Sequence, residues 1–127
     1  MDDEETIREF GTRVLQRAGY EVTAVADGAA ALQAFQEARQ AGRPYALAIL
    51  DLTVPGGMGG REAIERMRQT DPGMRAIVSS GYSNDPVMAH YREHGFSAVV
   101  PKPYDIEQLL DAVRQVLAES RQGGLPS

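Results

Sequence analysis

The chain has 127 residues, 43% of them hydrophobic, which is enough for one compact domain with a sizeable core. Its 13 basic and 18 acidic residues give a formal charge of -5, which argues against broad electrostatic attraction to nucleic acid or to an anionic membrane. With no cysteine, disulfides, thiolate chemistry and cysteine-held zinc or iron-sulfur sites are excluded, and the oxygen donors that remain favour a hard cation.

No apolar run approaches the roughly 18 residues needed to cross a bilayer. The acidic start MDDEE is the opposite of a signal peptide's basic head, so a cytoplasmic location is expected. From Glu5 to Ala18, the residues Ile7, Phe10, Val14, Leu15 and Ala18 recur at helical spacing, and Gly19 supplies a stop. The next segment, YEVTAVADG, alternates into a short β-branched strand ending near Ala26. Asp27 is placed to cap a helix from Gly28 to about Ala41, with Leu32, Phe35 and Ala38 on its inner face. The run YALAIL lacks the polar alternation of a half-exposed strand, so it reads as a strand covered on both faces, and it ends on Asp51. A third helix is predicted from about Gly60 to Gln69, followed by the strand RAIVSS and the loop GYSND. Pro86 suits the first turn of a fourth helix, SAVVP forms the last strand, and Asp105 caps a final helix. In that helix Leu109, Leu110, Val113, Val116 and Leu117 make one apolar stripe. A single domain over 1–119 and a flexible tail over 120–127 follow.

This alternation implies right-handed βαβ units and an open parallel sheet with helices on both faces. Ligands of such sheets bind at the carboxyl ends of the strands, beside the point where strand order reverses. Asp51, Ser79 or Ser80, and Lys102 stand at successive strand ends and should face one crevice. Asp2 and Asp3, just ahead of the first helix, add two like charges to Asp51, an arrangement that needs a cation or a proton. Magnesium answers, because it takes a few carboxylates and keeps positions for water and a phosphoryl oxygen. An aspartate so placed can attack a phosphoryl group to give an acyl phosphate, while Lys102 pairs with phosphoryl oxygens and the Ser80 hydroxyl donates to another. Each residue has a plainer reading: acids at a helix start, a turn-forming Asp51, capping serines, a surface lysine. The coincidence at three strand ends selects the first reading. His90 and His94, one helical turn apart, have no third ligand nearby and read as exposed. Tyr82, Tyr91 and Tyr104 read as packing or rim residues, with Tyr82 placed to gate access to a phosphate.

The acidic pair, LD ending the third strand, SSG ending the fourth and KP after the fifth resemble the receiver domain of two-component response regulators, over nearly the whole chain. The resemblance implies an α/β, flavodoxin-like, doubly wound parallel sheet of strand order 2-1-3-4-5. It implies phosphotransfer to Asp51 from a histidine kinase or histidine phosphotransfer protein, with slow self-catalysed loss of phosphate and no other enzymatic turnover. By motif, Asp51 is the phosphoacceptor, and Mg2+ is held by Asp2, Asp3, Asp51 and the backbone carbonyl of Thr53. Ser80, followed by the small Gly81, matches the switch hydroxyl, and Lys102 the phosphate-pairing lysine, with a cis bond to Pro103. The wording DLTVPGGMGG, SSGYSNDPV and PKPY is especially similar to receivers fused to hybrid sensor histidine kinases.

Two departures from that family matter. Val99 stands three before Lys102, where an aromatic is usual, which favours output through the serine and backbone, or plain phosphate relay. Only Met1 precedes the acidic pair, where receivers carry an apolar first strand at the centre of the sheet. Its loss costs much against the roughly 5 to 15 kcal/mol that holds a domain together. A shortened chain, a rearranged sheet of the four remaining strands, or a homo-oligomer or strand-swapped dimer are the expected outcomes. Two other functions compete. A haloacid dehalogenase-type phosphatase wants a second aspartate two positions after the first, where Thr53 stands. A receiver-like module that is never phosphorylated would bind a partner or a copy of itself through MAHYREHGFSAVVPKPY. No DNA-binding segment follows Leu117.

Overall fold

Two aspartates start helices where their spacing predicts. Asp27 accepts the N–H of Ala30 at 2.8 Å, and Asp105 forms a reciprocal capping box with Gln108. In the computed structural model, which describes residues 1–82 and 84–119, these caps open α2 (Gly28–Gln40) and α5 (Ile106–Ala118). The other helices are α1 (Glu5–Arg17), α3 (Gly60–Thr70) and the short α4 (Pro86–Ala89), which is followed by a 3-10 turn at Tyr91–His94. Strands β1 (Ala48–Asp51), β2 (Ala76–Ser80) and β3 (Ala98–Pro101) form one parallel sheet in the order β1-β2-β3. The register sets Asp51 beside Ser79 and Ser80 beside Pro101, so the polar strand ends share one edge.

The sheet is covered on both faces, as parallel sheets are. Leu50, Ala76 and Val78 pack toward Phe35 of α2 and Ile64 and Met67 of α3. The alternate residues Ile77, Ala98 and Val100 pack toward Leu109, Val113 and Val116 of α5 and Val14 of α1. Every residue of β2 is buried.

Three sequence expectations differ from this arrangement. YEVTAVADG forms no strand, YALAIL becomes a strand only from Ala48, and the fourth helix is cut to Pro86–Ala89. The first two share a cause. Segment 21–25 and β1 lie on either side of a slot in which only Met1 and Asp2 stand. The Met1 amine donates to the carbonyl of Ile49 at 2.7 Å, the Asp51 N–H donates to the Met1 carbonyl at 3.0 Å, and the Asp2 N–H donates to the Val25 carbonyl at 3.0 Å. Below that level no strand among the described residues pairs with either edge, so the β-branched segment does not register as one. The expected four strands are therefore three. The fourth helix ends early because the chain tightens into the 3-10 turn and leaves it through Gly95 at φ 91. The tail expected over 120–127 lies outside the described residues.

The loop after Asp51 folds back over the strand end because two glycines leave room for it. A Cβ on Gly60 would come within 2.9 Å of the Asp51 carbonyl oxygen, and one on Gly59 would collide with the Leu52 carbonyl oxygen. Replacing Gly59→Ala should therefore destabilise the fold by about 1–3 kcal/mol, read as a lower urea midpoint with an unchanged slope.

Candidate functional site

Asp51 closes β1 at the carboxyl edge of the sheet and is only 4% exposed. Lys102 follows β3, and its N–H extends the ladder by donating to the Ser80 carbonyl at 2.9 Å. The Lys102–Pro103 peptide is cis. This backbone brings the Lys102 Nζ to 2.7 Å from Asp2 Oδ2 and 3.4 Å from Asp51 Oδ2. Asp2 is buried, and two further contacts position it: its Oδ1 accepts the Glu4 N–H at 2.9 Å, and its carbonyl accepts from Arg8 Nη1 at 2.8 Å. Asp3 is exposed.

Charge and burial oppose one another here. Burial, with the negative charge of Asp2 added, raises the Asp51 carboxyl to about 6 against the pull of Lys102. Burial disfavours the Lys102 ammonium, but its hydrogen bond to Asp2 and the charges of Asp51 and Asp2 outweigh that and raise its pKa. Burial lowers the Met1 amine to about 6 even though Asp2 and Asp51 favour its charged form. Tyr104 is raised, first by burial and then by Asp2.

Oxygens of Asp2, Asp3 and Asp51 all lie within 4.8 Å of one another, the one such grouping of His, Asp and Glu among the described residues. Three carboxylates facing one ammonium leave negative charge uncompensated, and a donor set made only of oxygen fits Mg2+. Ser80 is buried at the end of β2, where its Oγ accepts the Tyr82 N–H at 3.0 Å. The neighbouring Ser79 is 2% exposed, and its Oγ has no partner among the described residues. Thr53 lies exposed two residues beyond Asp51, and the Tyr82 side chain is 66% exposed. His90 and His94 do not share a helix, because α4 stops at Ala89. Sequence reasoning missed Met1, whose backbone ties the acidic pair to β1, and Arg8, which clamps the Asp2 carbonyl.

An acidic cluster and a lysine at the carboxyl edge of a parallel sheet, with helices on both faces, define an α/β protein of the flavodoxin-like class. The chain belongs to the response regulator receiver domain family, whose pattern matches residues 1–114, and is thus a receiver domain of two-component systems. It is similar to the sporulation initiation phosphotransferase F of Bacillus subtilis, 31% identical over 92% of this chain and 90% of that protein. It is also similar to the sensor kinase CckA of Brucella abortus, 30% identical over 92% of this chain, which spans only 12% of the kinase. Among solved structures, a CheY-like response regulator receiver domain protein from Methanospirillum hungatei superposes with a TM-score of 0.79 at 27% identity, covering 91% of this chain and 88% of that one. A LuxR-family two-component response regulator from Aurantimonas gives a TM-score of 0.79 at 31% identity, covering 92% and 81%.

The raised Asp51 carboxyl has a consequence for stability. The folded chain holds this proton more tightly than the unfolded chain, whose carboxyl has the ordinary value of 3.8. The group's contribution is therefore complete below that value and is lost as pH rises through about 6. In metal-free buffer at pH 7, Asp51→Asn should be more stable than the parent by up to about 3 kcal/mol. Paired urea titrations should show the gap closing toward pH 4.

Proposed function

We propose that this receiver domain accepts a phosphoryl group on Asp51 from a phosphohistidine of a histidine kinase or histidine phosphotransfer protein, with Mg2+ as cofactor. The observation that carries the reading is the placement of a buried carboxylate at a strand end, 3.4 Å from a lysine ammonium and within reach of two more carboxylates. In the transfer, an Asp51 carboxylate oxygen attacks phosphorus. The phosphorus–nitrogen bond breaks, the electron pair leaves with the imidazole nitrogen, and an acyl phosphate forms. Hydrolysis later returns the carboxylate and inorganic phosphate.

Asp2, Asp3, Asp51 and the Thr53 carbonyl would hold the ion. When bound, it supplies positive charge that keeps Asp51 ionised and offsets the charge of the phosphoryl oxygens. The remaining work belongs to side chains of the chain itself. Lys102 offers N–H donors to a phosphoryl oxygen from its position between Asp2 and Asp51. Ser80 accepts from the Tyr82 N–H, so its own O–H is free to donate to another phosphoryl oxygen. With Val99 in place of an aromatic, the change passes through Ser80 and the adjoining backbone, or the phosphoryl group is simply relayed. The likeness to CckA and the wording around Asp51 favour a receiver of the kind fused to hybrid sensor histidine kinases, acting in the cytoplasm.

Intact-mass measurement after incubation with acetyl phosphate and Mg2+ tests this. One phosphoryl group should be gained by the parent chain, none by Asp51→Asn, and none with the metal chelated. Lys102→Met should slow the gain by about 10²-fold, the scale for losing one donor to developing charge. Continuous turnover of an aryl phosphate, or an equal mass gain in Asp51→Asn, would sink the assignment.

A further inference from the structure

Every polar atom of Asp2 has a partner. Its N–H donates to the Val25 carbonyl at 3.0 Å, its Oδ2 faces the Lys102 ammonium at 2.7 Å, its Oδ1 accepts the Glu4 N–H at 2.9 Å, and its carbonyl accepts from Arg8 Nη1 at 2.8 Å. The last two contacts belong to a closed circuit. The Arg8 N–H donates to the Glu4 carbonyl at 3.1 Å, the first rung of α1, so Asp2, Glu4 and Arg8 are joined in a ring of three hydrogen bonds. In this ring the half-buried Arg8 is held by the helix ladder at its backbone and grips Asp2 with its side chain. Asp3, the other acid ahead of α1, is exposed.

The contacts of Asp2 fare differently once the crevice is in use. The Lys102 ammonium is shared with Asp51, and an arriving phosphoryl oxygen draws on the same N–H groups. The ring does not meet that competitor, because the Arg8 donor lies on the Asp2 carbonyl and both carboxylate oxygens have other partners. When Lys102 turns to the phosphoryl group, the ring and the Val25 contact are what keep the Asp2 carboxylate within the 4.8 Å grouping with Asp3 and Asp51. Groups that orient a metal ligand without touching the metal raise its affinity by restricting where the ligand atom can lie.

We propose that Arg8 is a positioning residue for the cation site: its guanidinium fixes the Asp2 main chain, keeps the Asp2 carboxylate aimed at Asp51, and so sets the affinity for Mg2+ without touching the ion or the phosphoryl group. This deepens, and rests on, the reading of Asp2, Asp3 and Asp51 as the Mg2+ pocket. The sign of the effect separates positioning from charge. A guanidinium near a cation site repels the cation, so charge alone predicts tighter Mg2+ binding once Arg8 becomes neutral. Positioning predicts the opposite.

Calorimetric titration of the full chain with Mg2+, in phosphate-free buffer, tests this. Arg8→Met, which keeps the length of the side chain and loses its donors, should bind Mg2+ about tenfold more weakly than the parent. Arg8→Lys, which keeps a donor for the Asp2 carbonyl, should stay within threefold of the parent. With acetyl phosphate, the loss in Arg8→Met should appear in the Mg2+ concentration that gives half-maximal phosphorylation rather than in the rate at saturating Mg2+. Should Arg8→Met not fold, nitrogen-15 spectra of the parent decide: the Arg8 Nη hydrogens should show hindered rotation both without and with Mg2+. Binding by Arg8→Met that is tighter, equal or less than threefold weaker, binding by Arg8→Lys as weak as by Arg8→Met, a rate at saturating Mg2+ that falls as far as the affinity, or a freely rotating Arg8 guanidinium in the Mg2+-loaded parent would each overturn the proposal. A parent chain that takes up no Mg2+ would sink the cofactor reading as well, so the two failures are told apart by the parent titration alone.

Discussion

One ammonium group holds the carboxyl edge of this sheet together. Lys102 reaches two buried carboxylates, Asp2 at 2.7 Å and Asp51 at 3.4 Å, and in doing so joins three separate stretches of chain: the amino terminus, the end of β1 and the exit from β3. The pairing is strained by its own composition. Two carboxylates share one cation in a desolvated crevice, and that burial, with the charge of Asp2 added, raises the Asp51 carboxyl. An ammonium has three donors and no acceptor, so any anion arriving beside Asp51 competes with Asp2 for the same hydrogens. The resting contacts and the chemistry of the site draw on one set of N–H groups.

The glycine-rich loop serves the same edge by geometry. Gly59 and Gly60 let backbone approach the Leu52 and Asp51 carbonyls more closely than a side chain would allow. The sequence GGMGG after a strand-ending aspartate is thus a packing requirement as well as a turn. Gly28 belongs with them: a Cβ there would lie 2.7 Å from the Met58 carbonyl oxygen, which accepts the Gly28 N–H at 2.8 Å. The amino end of α2 and the loop after Asp51 therefore meet closely, through this main-chain hydrogen bond and the Met58 side chain.

Much of this was legible in the sequence, and for identifiable reasons. The helices α1, α2, α3 and α5 follow from apolar spacing and, at Asp27 and Asp105, from caps whose hydrogen bonds are local. The strand ends at Asp51, Ser80 and Pro101 follow from continuous apolar runs meeting polar residues, and the grouping of Asp51 with Lys102 follows from parallel topology. What escaped depends on neighbours far away in the chain. Segment 21–25 has a strand's composition, but strand formation is a property of a pair, and no strand among the described residues pairs with it. Ala48 and Ile49 read as wholly covered yet are only half-buried, for the same reason. The contrast between buried Asp2 and exposed Asp3 arises from the Met1 backbone bonds and the Arg8 clamp, neither of which composition or periodicity encodes.

Little anchors α1. That helix buries one residue, Val14, and otherwise leans on α5 and on partial contacts such as Phe10 against Tyr104, with ring centres 6.1 Å apart. With a single buried residue, α1 has few apolar contacts to lose by detaching, and local opening of a fold begins at such elements. Asp2 and Asp3 lie immediately ahead of it, and Arg8 on its first turns grips Asp2. Release of this one helix would loosen two of the three acids at the crevice while leaving the β1-β2-β3 framework and Asp51 in place, so the hold of α1 on the domain and the geometry of the acidic pocket are tied through Arg8.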